Sequence, residues 1–131
     1  VGEMIGWPDL VDEVAAVDRR IGSPDRVVIL TANYGEAGAV DRYGTDHGLP
    51  HAYSGHNAYA DWGPPPGGNA PVITVGIDRD QALEHLVGCH LMTRIHNSAG
   101  VDIDEDGAPV LVCAGPRTSW AKEWPGLRHL G

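Results

Sequence analysis

The chain has 131 residues, 42% hydrophobic and 21% charged, which suits one globular domain burying a core without added staples. Its formal net charge is −9, from 9 Lys+Arg against 18 Asp+Glu; this excludes the basic footprint of a nucleic-acid binder and disfavours an anionic lipid surface. No apolar run approaches the ~20 residues of a membrane-spanning helix. The start at Val1, with neither a signal peptide nor an initiator Met, leads us to expect a domain excised from a larger protein.

With 18 Gly and 10 Pro, the sequence predicts short elements joined by specific turns. Phe is absent, so four Trp and four Tyr supply the large aromatic packing. Leu10, Val11, Val14, Val17 and Ile21 recur at helical spacing behind Trp7-Pro8, and Gly22-Ser23-Pro24 stops that helix. The unbroken run Val27-Val28-Ile29-Leu30 predicts a strand covered on both faces, as in a parallel sheet. Asn33-Tyr34-Gly35 turns the chain into a second helix from Glu36 to about Asp46, ending at Gly48. A short strand follows around His51 to Tyr53, then a helix-like piece from Asn57 to Trp62.

Gly63-Pro64-Pro65-Pro66-Gly67-Gly68 reads as a loop, and Val72-Ile73-Thr74-Val75 as the third strand. Asp78 with Gln81 resembles a capping box, opening a helix with Ala82, Leu83, Leu86 and Val87 on one face. His90 to His96 alternates Leu91, Thr93 and Ile95 against Met92, Arg94 and His96, the pattern of a half-buried edge strand. Asn97 to Gly107 reads as an acidic loop, Val110 to Cys113 as a last buried strand, and Trp120 and Trp124 as part of an aromatic tail. The order predicts an α/β fold over residues 1–131: a single three-layer sandwich with a mainly parallel, Rossmann-like sheet of about five strands and helices on both faces. Right-handed crossovers would set the loops after the strands along one edge, where ligands bind near a topological switch point.

Two segments should fall on that edge. Thr31 to Gly38 follows the first strand, with Gly35 and Gly38 permitting close backbone approach. It lacks both the G-x-G-x-x-G and the G-K-[ST] patterns, so its phosphate signal is weak. Tyr53-Ser54-Gly55-His56-Asn57-Ala58-Tyr59-Ala60-Asp61-Trp62-Gly63-Pro64 follows the second strand and combines aromatic faces with amide, imidazole and carboxylate groups, the surroundings in which sugars are bound. Asn33, Tyr34, Glu36, Ser54, His56, Asn57, Tyr59 and Trp62 are therefore the candidate binding residues. The bland reading makes Tyr59 and Trp62 core anchors, and for Trp62 that reading is preferred.

Enzyme readings fare poorly on the same residues. A nucleophile elbow at Ser54 would need glycines where Ala52 and His56 stand. Glu36 and Asp61 are the only carboxylate pair for a glycosidase, with nothing to set their separation. His85, Cys89 and His90 match no established zinc spacing, and Asp102, Asp104, Glu105 and Asp106 read as a solvated loop before a calcium site. No metal or cofactor is expected. Cys89 and Cys113 are either a disulfide of an extracytoplasmic domain or two buried thiols, the preferred reading.

Ala32-Asn33-Tyr34-Gly35-Glu36-Ala37-Gly38-Ala39, Leu49-Pro50, Ser54-Gly55-His56-Asn57 and Trp62-Gly63-Pro64 together resemble the C-terminal soluble domain of bacterial multi-pass glycosyltransferases of the protein-mannosyltransferase and aminoarabinose-transferase type. The tail is also similar: Cys113, Gly115-Pro116-Arg117, Trp120, Trp124-Pro125 and Leu127-Arg128-His129. The resemblance implies a polyprenyl-phosphate-linked sugar donor and transfer on the extracytoplasmic face of the cell membrane. It places the catalytic acids in a transmembrane part absent from this chain, so no catalytic residue is expected here. The expected role is an accessory domain that assists recognition of a glycan or polyprenyl-phosphate-linked sugar, or packs on its own transmembrane catalytic domain. A purely structural capping domain is the alternative, and a free-standing small hydrolase ranks last.

Overall fold

The computed structural model describes residues 7–22, 27–32, 34–54, 63–65, 70–95 and 107–127. Helix α1 (Trp7–Ile21) leads into strand β1 (Val28–Thr31), followed by α2 (Tyr34–Tyr43), a 3₁₀ turn (Gly44–His47) and β2 (Ala52–Ser54). Beyond β3 (Val72–Val75) come α3 (Arg79–His85), β4 (Leu86–Val87), β5 (His90–Arg94), β6 (Pro109–Cys113), β7 (Gly115–Pro116) and α4 (Trp120–Leu127).

Five strands form one sheet in the order β2-β1-β3-β6-β5. β1 pairs in parallel with β2 and β3, whereas β6 pairs antiparallel with both β3 and β5. The α/β expectation and the number of strands agree with this sheet, but the mainly parallel, Rossmann-like three-layer sandwich does not. Two parallel and two antiparallel pairs make the sheet mixed, because β6 returns against β3. Val110, Leu111 and Cys113 are as buried as the parallel strands, and burial on both faces leaves no mark of strand direction.

Strand parity divides the core. Ile29, Ala52, Ile73, Val75 and Val110 pack against Leu10, Val11, Val14 and Val17 of α1 and Ala37 and Val40 of α2. On the opposite face Val28, Leu30, Val72, Leu111 and Cys113 meet Ala82 of α3 and Trp120, Trp124 and Leu127 of α4. The two tryptophans thus fill the place that Phe takes elsewhere, and truncating either would cost about 3–5 kcal/mol.

Three local expectations need correction. Asp78 has the extended backbone of a cap residue, yet its side chain makes no capping bond. Helix α3 ends at His85, and Leu86–Val87 leave the predicted helical face to pair with Gly115–Pro116. The aromatic tail contains a helix, α4, that accommodates Pro125 in its interior. The edge strand β5 is present with a register shift between Leu91 and Thr93; Leu91 is 49% exposed while Ile95 is buried.

Cys89 and Cys113 form a disulfide, so the preferred reading as two free buried thiols is overturned. The partners are brought together by strand register. His90 stands opposite Val112, and Val87 opposite Gly115, so Cys89 and Cys113 fall between these pairs on one continuous ribbon. Gly88 lets the ribbon bend there with a φ of 67°, a conformation that side chains other than glycine adopt at a cost.

Candidate functional site

The parallel strands β1, β2 and β3 end at one edge of the sheet. Thr31 stands beside Ser54 on one side and Val75 on the other. Ala32 N–H donates to Val75 O at 3.0 Å, and Gly76 N–H to Pro109 O at 2.9 Å, tying the exits of β1 and β3 to the start of β6. From β1 the chain turns into α2 on one face; from β3 it turns into α3 on the other. Opposite departures of this kind mark a topological switch point, the kind of place at which open α/β sheets bind ligands.

Both sequence segments reach this edge. The first leaves β1 and enters α2 at Tyr34, and the second leaves β2 at Ser54. Tyr34 and Glu36 are placed through their backbone in the first turn of α2. Ser54 is 0% exposed and makes polar contact, so it lies beneath the edge rather than on its surface. Asn33, His56, Asn57, Tyr59, Asp61 and Trp62, and the acidic residues Asp102, Asp104, Glu105 and Asp106, lie outside the described residues. One further group marks this end of the sheet: Thr74 Oγ1, a residue before the end of β3, is buried with no hydrogen-bond partner among the described residues.

The suggested zinc grouping does not assemble. Cys89 is committed to its disulfide, His85 ends α3, and His90 opens β5. Among the described residues no three His, Cys, Asp or Glu side chains are arranged to hold a metal ion.

A cluster that sequence reasoning missed joins α3 to α4. His85 Nδ1 lies 3.0 Å from Glu123 Oε1, and the Thr118 hydroxyl donates to Glu123 Oε2. These bonds, that of Thr118 first and that of His85 second, hold the Glu123 carboxyl below its ordinary range, while burial pulls the other way. Gly126 lies against the imidazole, where a Cβ would collide with the ring. Arg117 completes the junction, its N–H donating to His85 O at 2.9 Å and its Nε to Leu83 O at 2.5 Å. No spacing signal identifies such a cluster, because 38 residues separate His85 from Glu123. With both carboxylate oxygens committed to Thr118 and His85, its chemistry is that of a clamp.

Carboxylate–imidazole pairs also fix the opposite end of β2. Asp41 of α2 accepts from Ala52 N–H at 2.9 Å through Oδ1 and lies 3.1 Å from His51 Nδ1 through Oδ2. His47 Nε2 meets Asp12 Oδ1 of α1 at 3.0 Å. No family model, curated protein or solved structure matches this chain.

Proposed function

We propose that this chain is an extracytoplasmic accessory domain of a polyprenyl-phosphate-sugar-dependent membrane glycosyltransferase, and that the β1/β2/β3 edge assists glycan recognition. The observation that carries the reading is the start of the two motif segments side by side, at Thr31 and Ser54, next to the point where β1 and β3 send the chain to opposite faces of the sheet. The Cys89–Cys113 disulfide supports an oxidising compartment, since such bonds persist outside the reducing cytosol. The acidic balance supports a partner other than nucleic acid. Among the described residues no helix is long and apolar enough to cross a membrane, so the reading assigns membrane attachment and the catalytic acids to a separate part of the gene product.

In this role Asn33, Tyr34, Glu36, His56, Asn57 and Tyr59 form the recognition edge, and Ser54 supports it from below. The test is made on the full-length gene product. It should fractionate with membranes and transfer sugar from a polyprenyl-phosphate donor. A protein found in the cytosol and inert toward such donors would end this reading.

A structural capping domain is the second reading, favoured by one observation. Ser54, a motif residue, is wholly buried, and motif residues that serve only packing would all behave this way. Substitutions at the edge would then lower thermal stability in proportion to activity.

A further inference from the structure

The block Leu49-Pro50, part of the sequence resemblance, has no place at the switch-point edge. It lies instead at the other end of β2, beside a cleft of about 250 Å³ lined by Val40, Asp41, Leu49, Pro50 and His51. Val40 and Leu49 bring apolar walls anchored in the core. Asp41 and His51 bring a carboxylate and an imidazole 3.1 Å apart. The pair is held in position: Asp41 Oδ1 accepts from Ala52 N–H at 2.9 Å, and the His51 ring meets Tyr53 edge-on at 5.8 Å between centroids.

We propose that this cleft is a second carbohydrate subsite taking a single hydroxylated ring; the proposal rests on the glycan-recognition reading above. The volume lies just under the range of ordinary ligand pockets, which suits one small ring. The chemistry of the walls selects the class. A sugar presents CH groups on one side and hydroxyls on its rim. The CH groups would lie on Leu49 and Pro50, and the hydroxyls, both donors and acceptors, would meet the Asp41–His51 pair. An anionic ligand would face the Asp41 carboxylate. A wholly apolar one would strip water from the pair without replacing its hydrogen bonds. A simple cation would have to displace the imidazole from Oδ2.

The experiment is an amide-resolved NMR titration of the chain with D-glucose, D-mannose and D-galactose, and with glycerol as a control for non-specific hydroxyl effects. A single ring in a shallow cleft should bind with a Kd of millimolar order. The expected result is saturable shifts at Asp41, Leu49, His51 and Ala52 with at least one sugar and not with glycerol. His51→Ala, at a half-exposed site, should weaken that binding about tenfold or more. Asp41→Asn, which keeps an oxygen acceptor for Ala52 N–H, should weaken it as well. No saturable shift up to about 0.1 M sugar, or identical affinity in both variants, overturns the proposal. Shifts confined to 32–36 and 54–57 also overturn it while leaving the recognition edge standing. Conversely, cleft binding in a chain whose full-length protein transfers no sugar would uphold the subsite and sink only the transferase reading.

Discussion

His85 Nδ1 and Glu123 Oε1 lie 3.0 Å apart, with side chains only 21% and 13% exposed, and join the end of α3 to the middle of α4. Glu123 also accepts from the Thr118 hydroxyl, so one carboxylate bridges two segments that the disulfide ribbon brings alongside. Glu123→Gln should cost about 1.5–3 kcal/mol, as for a charge-assisted bond lost in a partly buried site. The urea midpoint at neutral pH checks it. A double-mutant cycle with Thr118→Val should show the two changes to be less than additive.

The same carboxylate predicts a pH dependence. Its pKa is lowered by the Thr118 and His85 hydrogen bonds from the ordinary carboxylate value of 4.5. A group with a depressed folded-state pKa contributes stability that is fully present above the unfolded value and lost as pH falls through the folded one. Stability should therefore drop below about pH 4.5 more steeply in the native chain than in Glu123→Gln. Parallel urea midpoints for the two proteins across the acid range would contradict this.

Gly126 lies where any side chain would enter the His85 ring. Gly126→Ala should destabilise by about 1–3 kcal/mol despite the higher helix propensity of alanine. In a His85→Ala background the same change should be neutral or favourable. Thermal unfolding of the four proteins of this cycle measures the sign reversal.

Removing the Cys89–Cys113 bond should cost about 3 kcal/mol, from the conformational freedom returned to the unfolded chain. The urea midpoint with and without a dithiol reductant reads this directly. Thiol titration of the denatured, unreduced chain should find no free cysteine among the two.

The Thr74 hydroxyl is buried without a partner among the described residues, and leaving such a group unsatisfied costs about 1–3 kcal/mol. Thr74→Val, which keeps the shape, should hold or raise the thermal midpoint. A fall of several degrees would mean that the hydroxyl bonds to a group beyond the described residues.

Those parts of the structure that depend on local pattern were legible in the sequence. Val28 to Leu30 and Val72 to Val75 announce buried strands through unbroken apolar runs, and Leu10 to Ile21 announces α1 through its spacing. The direction of β6 was not legible, because Val110 to Cys113 is buried on both faces whichever way it runs. The pairing of Leu86–Val87 with Gly115–Pro116 was hidden as well, since two residues carry no periodicity and Ala82, Leu83, Leu86 and Val87 fit a helix face. Pro125 masked α4, although a Pro missing one backbone bond is tolerated when Trp120, Trp124 and Leu127 are buried around it. The disulfide follows from the register of the ribbon, which no cysteine spacing reveals. At the site, the shared edge of the two segments follows from strand order and crossover, whereas the Asp41–His51 and His85–Glu123 pairs exist only once the chain has folded.

The proposed role in a membrane transferase stands on recognition of a glycan by the residues following β1 and β2. The most direct test is the His56→Ala/Asn57→Ala double variant, assayed as the full-length protein for sugar transfer and as this chain for thermal midpoint. The expected result is an unchanged midpoint with transfer reduced about tenfold or more. Unchanged transfer, or a loss of transfer matched by a loss of folding, would contradict it.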